Sequence, residues 1–94
     1  MNNHSDYASI REQLIEWLDD NYHFGDAEAM ITSDELSFMD NGILDSLGFV
    51  QLVLFLENTY SFQLDRKDLS RENFDGMRKI IEYVTGHPQY QGTA

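Results

Sequence analysis

The chain has 94 residues, with 17 acidic against 6 basic side chains, a formal net charge of -11 and no cysteine. That length holds one domain with a single modest core, and the absence of cysteine excludes disulfides, thiolate metal sites and a cysteine nucleophile. The charge repels phosphate backbones and anionic lipid, so nucleic acid is not an expected partner and proteins with basic patches are, although such a charge also serves plain solubility.

The segment from Met1 to Asp6 lacks the basic start and apolar run of a secretory signal. No later stretch is long and apolar enough to span a bilayer. A cytoplasmic protein without membrane insertion is expected. From Tyr7 onward, Ile10, Leu14, Trp17 and Leu18 follow the three-and-four spacing of one helical face, which predicts a first helix starting near Ser5 or Asp6 and running out by Asn21 to Gly25.

Between Tyr22 and Asp45 the periodicity fails, and Gly25, Thr32, Ser33, Asp34, Asp40, Asn41 and Gly42 supply turn chemistry. This predicts a long loop with room for one helical turn, and loops of this length are often functional. Its exit, Asp45-Ser46, opens a run from Ser46 to Tyr60 that is apolar nearly all round and too long for a strand, hence a second helix. Asp65 caps an expected short third helix through Leu69. Asp75 as N-cap, the apolar face Met77, Ile80, Ile81 and Val84, and the stop Gly86 with Pro88 beyond it define the last helix.

Catalytic constellations are hard to assemble from these residues. His4, His23 and His87 have no ligand partner at helical spacing and read as surface histidines. No glycine follows oxygen ligands in the pattern of a calcium loop. Ser46 has Gly48 two residues after it but Leu44 two residues before it, and an all-helical chain lacks the strand and elbow of a serine hydrolase. Catalytic residues: none are expected, and no metal site.

Two readings of Asp45-Ser46 stay open on residue chemistry alone. Asp and Ser are both good helix N-caps, which is the bland reading. The functional one is a phosphate ester on Ser46, lying against free backbone N–H groups at the positive end of the helix dipole.

The stretch Asp40-Asn41-Gly42-Ile43-Leu44-Asp45-Ser46-Leu47, followed by Val50, Leu52, Val53, Leu56 and Glu57, resembles the signature of acyl and peptidyl carrier proteins. The likeness runs from about Tyr7 to Gly86, including the closing helix with Phe74, Ile80, Ile81 and Val84. It implies an all-α, four-helix bundle of three longer helices, one short helix and a long first loop. It also implies a 4'-phosphopantetheine arm, transferred from coenzyme A to Ser46 by a phosphopantetheinyl transferase, with Asp45 assisting that enzyme and its magnesium. A cargo would ride on the arm as a thioester, loaded by an adenylate-forming acyl or aminoacyl ligase and passed to a downstream acceptor enzyme.

The resemblance assigns residues 6–86 to the carrier domain, 1–5 to a flexible N-terminus and 87–94 to a flexible tail. It puts partner docking on the second helix at Leu47, Gly48, Gln51 and Glu57, on a protein expected to act as a monomer. Fatty-acid carriers have several acids along that helix, whereas here Gly48, Gln51 and Asn58 stand in such places and Glu57 is the one acid. Val50-Gln51-Leu52 and Arg71-Glu72-Asn73-Phe74-Asp75 look more like stand-alone aminoacyl carriers, including the D-alanyl carrier proteins of cell-wall modification. Phe49 and Phe55 either fill the space a long acyl chain would need or face outward. The alternative from another class is an adaptor without a prosthetic group, its apolar second helix bound in a partner's groove and Ser46 no more than a cap.

Overall fold

The computed structural model describes residues 3–23 and 25–91. In chain order the elements are α1 (Asn3–Leu18), α2 (Ala27–Met30), α3 (Ser46–Tyr60), α4 (Arg71–Phe74) and α5 (Met77–Gly86), with a π-helical turn at Asp19–His23 and a 3₁₀ turn at Arg66–Asp68. Every regular element among the described residues is helical. The architecture is the expected small helical bundle, three longer helices joined by short ones.

The apolar spacing of each long helix explains what it buries. Ile10, Leu14 and Leu18 of α1 are wholly buried, and Met77, Ile80, Ile81 and Val84 of α5 meet them in the core. From α3 come Leu52, Val53, Leu56 and Tyr60. Each large aliphatic side chain removed from water in this way contributes about 2 kcal/mol. The same α3 also leaves Leu47, Val50 and Leu54 exposed, so only part of its apolar circumference serves the core. The helix stops where expected, with Ser61 in the left-handed region at φ 57°.

Several expected boundaries differ. α1 begins at Asn3 rather than at Ser5 or Asp6, with Asp6 in its first turn where an acid suits the helix dipole. Of the N-terminal segment expected to be flexible, residues 1 and 2 lie outside the described residues and 3–5 are helical. The third helix is only the 3₁₀ turn Arg66–Asp68, capped by Asp65 accepting from Lys67 N at 3.4 Å, and α4 follows as an additional single turn.

Asp75 is not the cap of the last helix. That position belongs to Gly76, whose φ of 150° suits only glycine, and whose Cβ, if it had one, would stand 3.0 Å from the Leu36 carbonyl oxygen. The backbone therefore passes close to the long loop at this point, and the Asp75 side chain turns inward.

Residues 87–91, assigned from the sequence to a flexible tail, carry side chains packed on the domain. The His87 ring stacks on Phe62 at 4.6 Å, Tyr90 meets Tyr60 edge-on at 6.1 Å, and Gln63 N donates to Gln89 Oε1 at 2.8 Å. Aromatic contact area holds a segment whose composition reads as polar. Residues 92–94 lie outside the described residues.

Candidate functional site

Ser46 is the first residue of α3, and its position is set by the capping chemistry one residue earlier. Asp45 has extended backbone angles and its carboxylate accepts from Gly48 N at 2.8 Å, satisfying one of the free amides that open any helix. The Ser46 side chain is exposed. Neither its hydroxyl nor the Ser46 and Leu47 amides have a hydrogen-bond partner among the described residues. Asp45 is thus the cap, and Ser46 offers a free hydroxyl beside free N–H groups, where an esterified phosphate would be favoured.

The long loop that delivers Ser46 is held at three places. At the first, Asp34 accepts from Tyr7 Oη at 2.6 Å and Arg11 Nε at 3.1 Å, while its carbonyl accepts from Arg78 N at 3.0 Å. Burial, followed by the bond to Asp34, pushes the Tyr7 phenol up to about 12, so it stays a donor at neutral pH.

The second tether is Asp75, 3% exposed, which accepts from Ser37 Oγ at 2.6 Å, Met39 N at 2.9 Å, and Arg71 Nε and Nη2 at 3.0 and 2.7 Å. Arg71 also reaches Asp40 at 2.7 Å. Burial opposes the charged carboxylate, but the Ser37, Met39 and Arg71 donors outweigh it and hold Asp75 below the ordinary carboxylate range. Between these anchors Phe38 fills the core, and its carbonyl accepts from Ile43 N at 2.8 Å and Leu44 N at 3.2 Å.

His23 makes the third tether. Its Nε2 lies 2.7 Å from the Ile43 carbonyl oxygen, which can only accept, so Nε2 carries the proton. Neither His23 nor His87 is the free surface residue expected from the sequence; both are half-buried and engaged, and the side chain of His4 lies outside the described residues. His23→Ala is expected to cost about 1–2 kcal/mol, because it strands the buried Ile43 carbonyl. Urea unfolding checks the energy, and amide exchange over Ile43 to Leu47 checks that the loss is local.

The docking residues expected on α3 separate into different roles. Leu47 is 65% exposed beside Ser46. Gln51 is exposed and accepts from Tyr22 Oη. Gly48, by contrast, is buried, its Cβ position 2.9 Å from Leu44 Cδ2 and 3.4 Å from Tyr22 Cζ. It lets the loop and the π-helical turn close on α3. Glu57 is half-buried and accepts from Leu64 N at 2.7 Å, fastening the chain that leaves α3.

Phe49 and Phe55 are both partly buried. Phe49 packs edge-on against Phe74 at 6.3 Å, and Phe55 stacks on Trp17 at 5.3 Å. The residues missed from the sequence are the supports: Tyr22, His23, Phe38 and Asp75. Only their proximity in the fold marks them. Among the described residues no group of three or more His, Asp or Glu side chains is placed to hold a metal ion, and no helix is long and apolar enough to cross a membrane.

The site is thus a free Ser46 hydroxyl at the start of α3, delivered by a loop tethered through Asp34, Asp75 and His23. The D-alanyl carrier proteins of Streptococcus pyogenes serotype M5 (strain Manfredo), serotype M49 (strain NZ131) and serotype M1 are each 34% identical to this chain over 76 residues, covering 81% of it and 91% of the relative. The chain belongs to this family of carrier proteins. No protein-family model matches it. No solved structure matches it either.

Proposed function

We propose that this protein carries an aminoacyl group, with D-alanine the first candidate, as a thioester on a 4'-phosphopantetheine arm attached to Ser46. The observation that carries the reading is the exposed Ser46 hydroxyl without an internal partner at the N-terminus of α3. The arm supplies the thiol; the chain's own residues supply the anchor. Asp45 holds the first turn of α3 through Gly48 N, and the Ser46 and Leu47 amides would be the donors available to the ester phosphate. The name of the relatives supports D-alanine as cargo. Phe49 against Phe74 and Phe55 against Trp17 support a short cargo over a long acyl chain, because those rings occupy both flanks of α3.

The partners of this reading are a phosphopantetheinyl transferase, an adenylate-forming aminoacyl ligase and an acceptor enzyme that takes the loaded group. The protein itself is a monomeric carrier without catalytic activity. Coenzyme A and ATP are needed for loading, which supports a cytoplasmic setting for this reading.

Intact-mass spectrometry after incubation with coenzyme A, magnesium and a broad-specificity transferase tests the attachment. One phosphopantetheine is expected on the wild type and none on Ser46→Ala, which should remain folded. A folded wild type left unmodified by several transferases would sink the reading. With the arm in place, ATP and an adenylating D-alanine ligase should add one alanyl mass; loading by a fatty-acyl ligase instead would overturn the cargo.

A further inference from the structure

The negative charge of this protein is unevenly placed. Residues 1–60 hold twelve of the 17 acids and one of the 6 bases, so the whole net charge of -11 belongs to them. Yet α3, which bears Ser46, contributes almost nothing to that field. Its one acid, Glu57, is committed to Leu64 N.

Most of the charge lies from Asp19 to Asp45, which hold eight acids and no lysine or arginine, but one exposed row runs from α1 into the π-helical turn that follows it. Glu12, Glu16 and Asp20 follow one another at four-residue spacing, all exposed, with no hydrogen-bond or ion-pair partner among the described residues. Arg11, the one base of α1, is engaged by Asp34 and Glu28 at 3.1 and 3.0 Å. Like charges four apart weaken a helix, and acids near a helix C-terminus oppose its dipole. The row therefore works against the fold that carries it, and nothing in the fold uses it.

Two of these acids open on a groove between α1 and α3, lined by Gln13, Glu16, Trp17, Asp20, Phe55 and Thr59. Its floor is the stacked pair Trp17 and Phe55, with ring planes 22° apart. On the same exposed side of α3, Leu47, Val50 and Leu54 form an apolar strip, 65%, 48% and 52% exposed. At 100° per residue, Gln51 and Phe55 lie between that strip and the α1 side, so strip and groove are neighbours.

We infer that this groove is the cation seat of the carrier's docking face: a partner enzyme lays an apolar surface on Leu47, Val50 and Leu54 and places an arginine or lysine between Glu16 and Asp20, over the Trp17 and Phe55 rings. The inference rests on the carrier reading and adds the partner chemistry. Charge complementarity selects a basic side chain, and the aromatic floor favours the flat guanidinium of arginine. In this chain α1 and the turn after it supply the attraction, and the helix bearing the serine supplies the apolar contact.

The test is phosphopantetheine transfer from coenzyme A by a phosphopantetheinyl transferase, measured against carrier concentration at low and high salt. E16K/D20K is compared with E72K/E82K, which changes the net charge equally at exposed positions on α4 and α5. For E16K/D20K the expected result is a fall in kcat/KM of about tenfold, carried by KM, with a weaker salt dependence. E72K/E82K should lose less than about threefold, because its charges lie outside the docking face. The milder E16Q/D20N should fall between them. The thermal midpoint of E16K/D20K should stay close to that of the wild type, since positions 16 and 20 still carry like charges while position 16 now attracts Glu12 and both substitutions suit the helix C-terminus. Equal losses in both lysine pairs would reduce the effect to bulk charge and overturn the inference, as would no loss in either. A wild type that accepts no arm at all would remove the carrier reading, and the inference with it.

Discussion

Asp75→Ala is expected to lower the unfolding free energy by about 3 kcal/mol at neutral pH. The carboxylate is 3% exposed and collects donors from Ser37, Met39 and Arg71. Removing it leaves the Met39 amide and the Ser37 hydroxyl, both in the loop, without an acceptor. The Arg71 guanidinium is half-exposed, keeps Asp40 and loses little. Asp75→Asn preserves the shape and removes the charge, so it separates charge from packing.

The pH dependence follows from the direction of the shift. Burial raises the carboxyl's pKa and the three donors lower it further than burial raises it, so the folded value lies below the unfolded one. Such a group contributes its stability in full above the ordinary carboxylate value of about 4 and loses it as pH falls through the folded pKa. The gap between wild type and Asp75→Ala should be constant from neutral pH down to about 4 and should narrow below it. Urea unfolding across that range measures both, and a gap under about 1 kcal/mol at neutral pH would show that water replaces Asp75 at no great cost.

Phe38→Ala is expected to cost about 4 kcal/mol, in the range for deleting a wholly buried aromatic ring. The consequence is local as well as global, because the Phe38 carbonyl receives the Ile43 and Leu44 amides just before Ser46 in the chain. With the ring gone, those bonds lose the core contact that fixes their acceptor. Amide exchange at Ile43 and Leu44 should rise beyond what global destabilisation explains, and Phe38→Leu should restore most of the stability. Retention of slow exchange in the alanine variant would show that the backbone turn holds itself.

The extent of α3 and the position of Ser46 were legible in the sequence because local chemistry decides both. Asp45 caps, Ser61 ends the helix, and the apolar run between them is too long for a strand. Asp75 was misread because aspartate suits a helix cap as well as a buried acceptor, and its loop donors are 36 and 38 residues away. No local pattern announces that convergence. The close packing at Gly48 was hidden for a related reason: a glycine shows no polarity, and only the approach of Leu44 and Tyr22 reveals it. Glu57 carries the charge a docking residue would have, but the chain turns back at Leu64 and takes it. The single turn α4 is too short for any periodicity to declare it.

The aromatic clasp of Tyr90 on Tyr60 fixes where anything joined behind it must hang. Tyr60 closes α3 at the end opposite Ser46, about 21 Å along the helix axis. A purification handle, a fluorophore or a second domain appended after residue 91 therefore starts from the far pole of the molecule. A C-terminal fusion leaves the Ser46 end of α3 clear but stands beside the Thr59 end of the groove, so an appended domain would shield the docking face before it touched the serine.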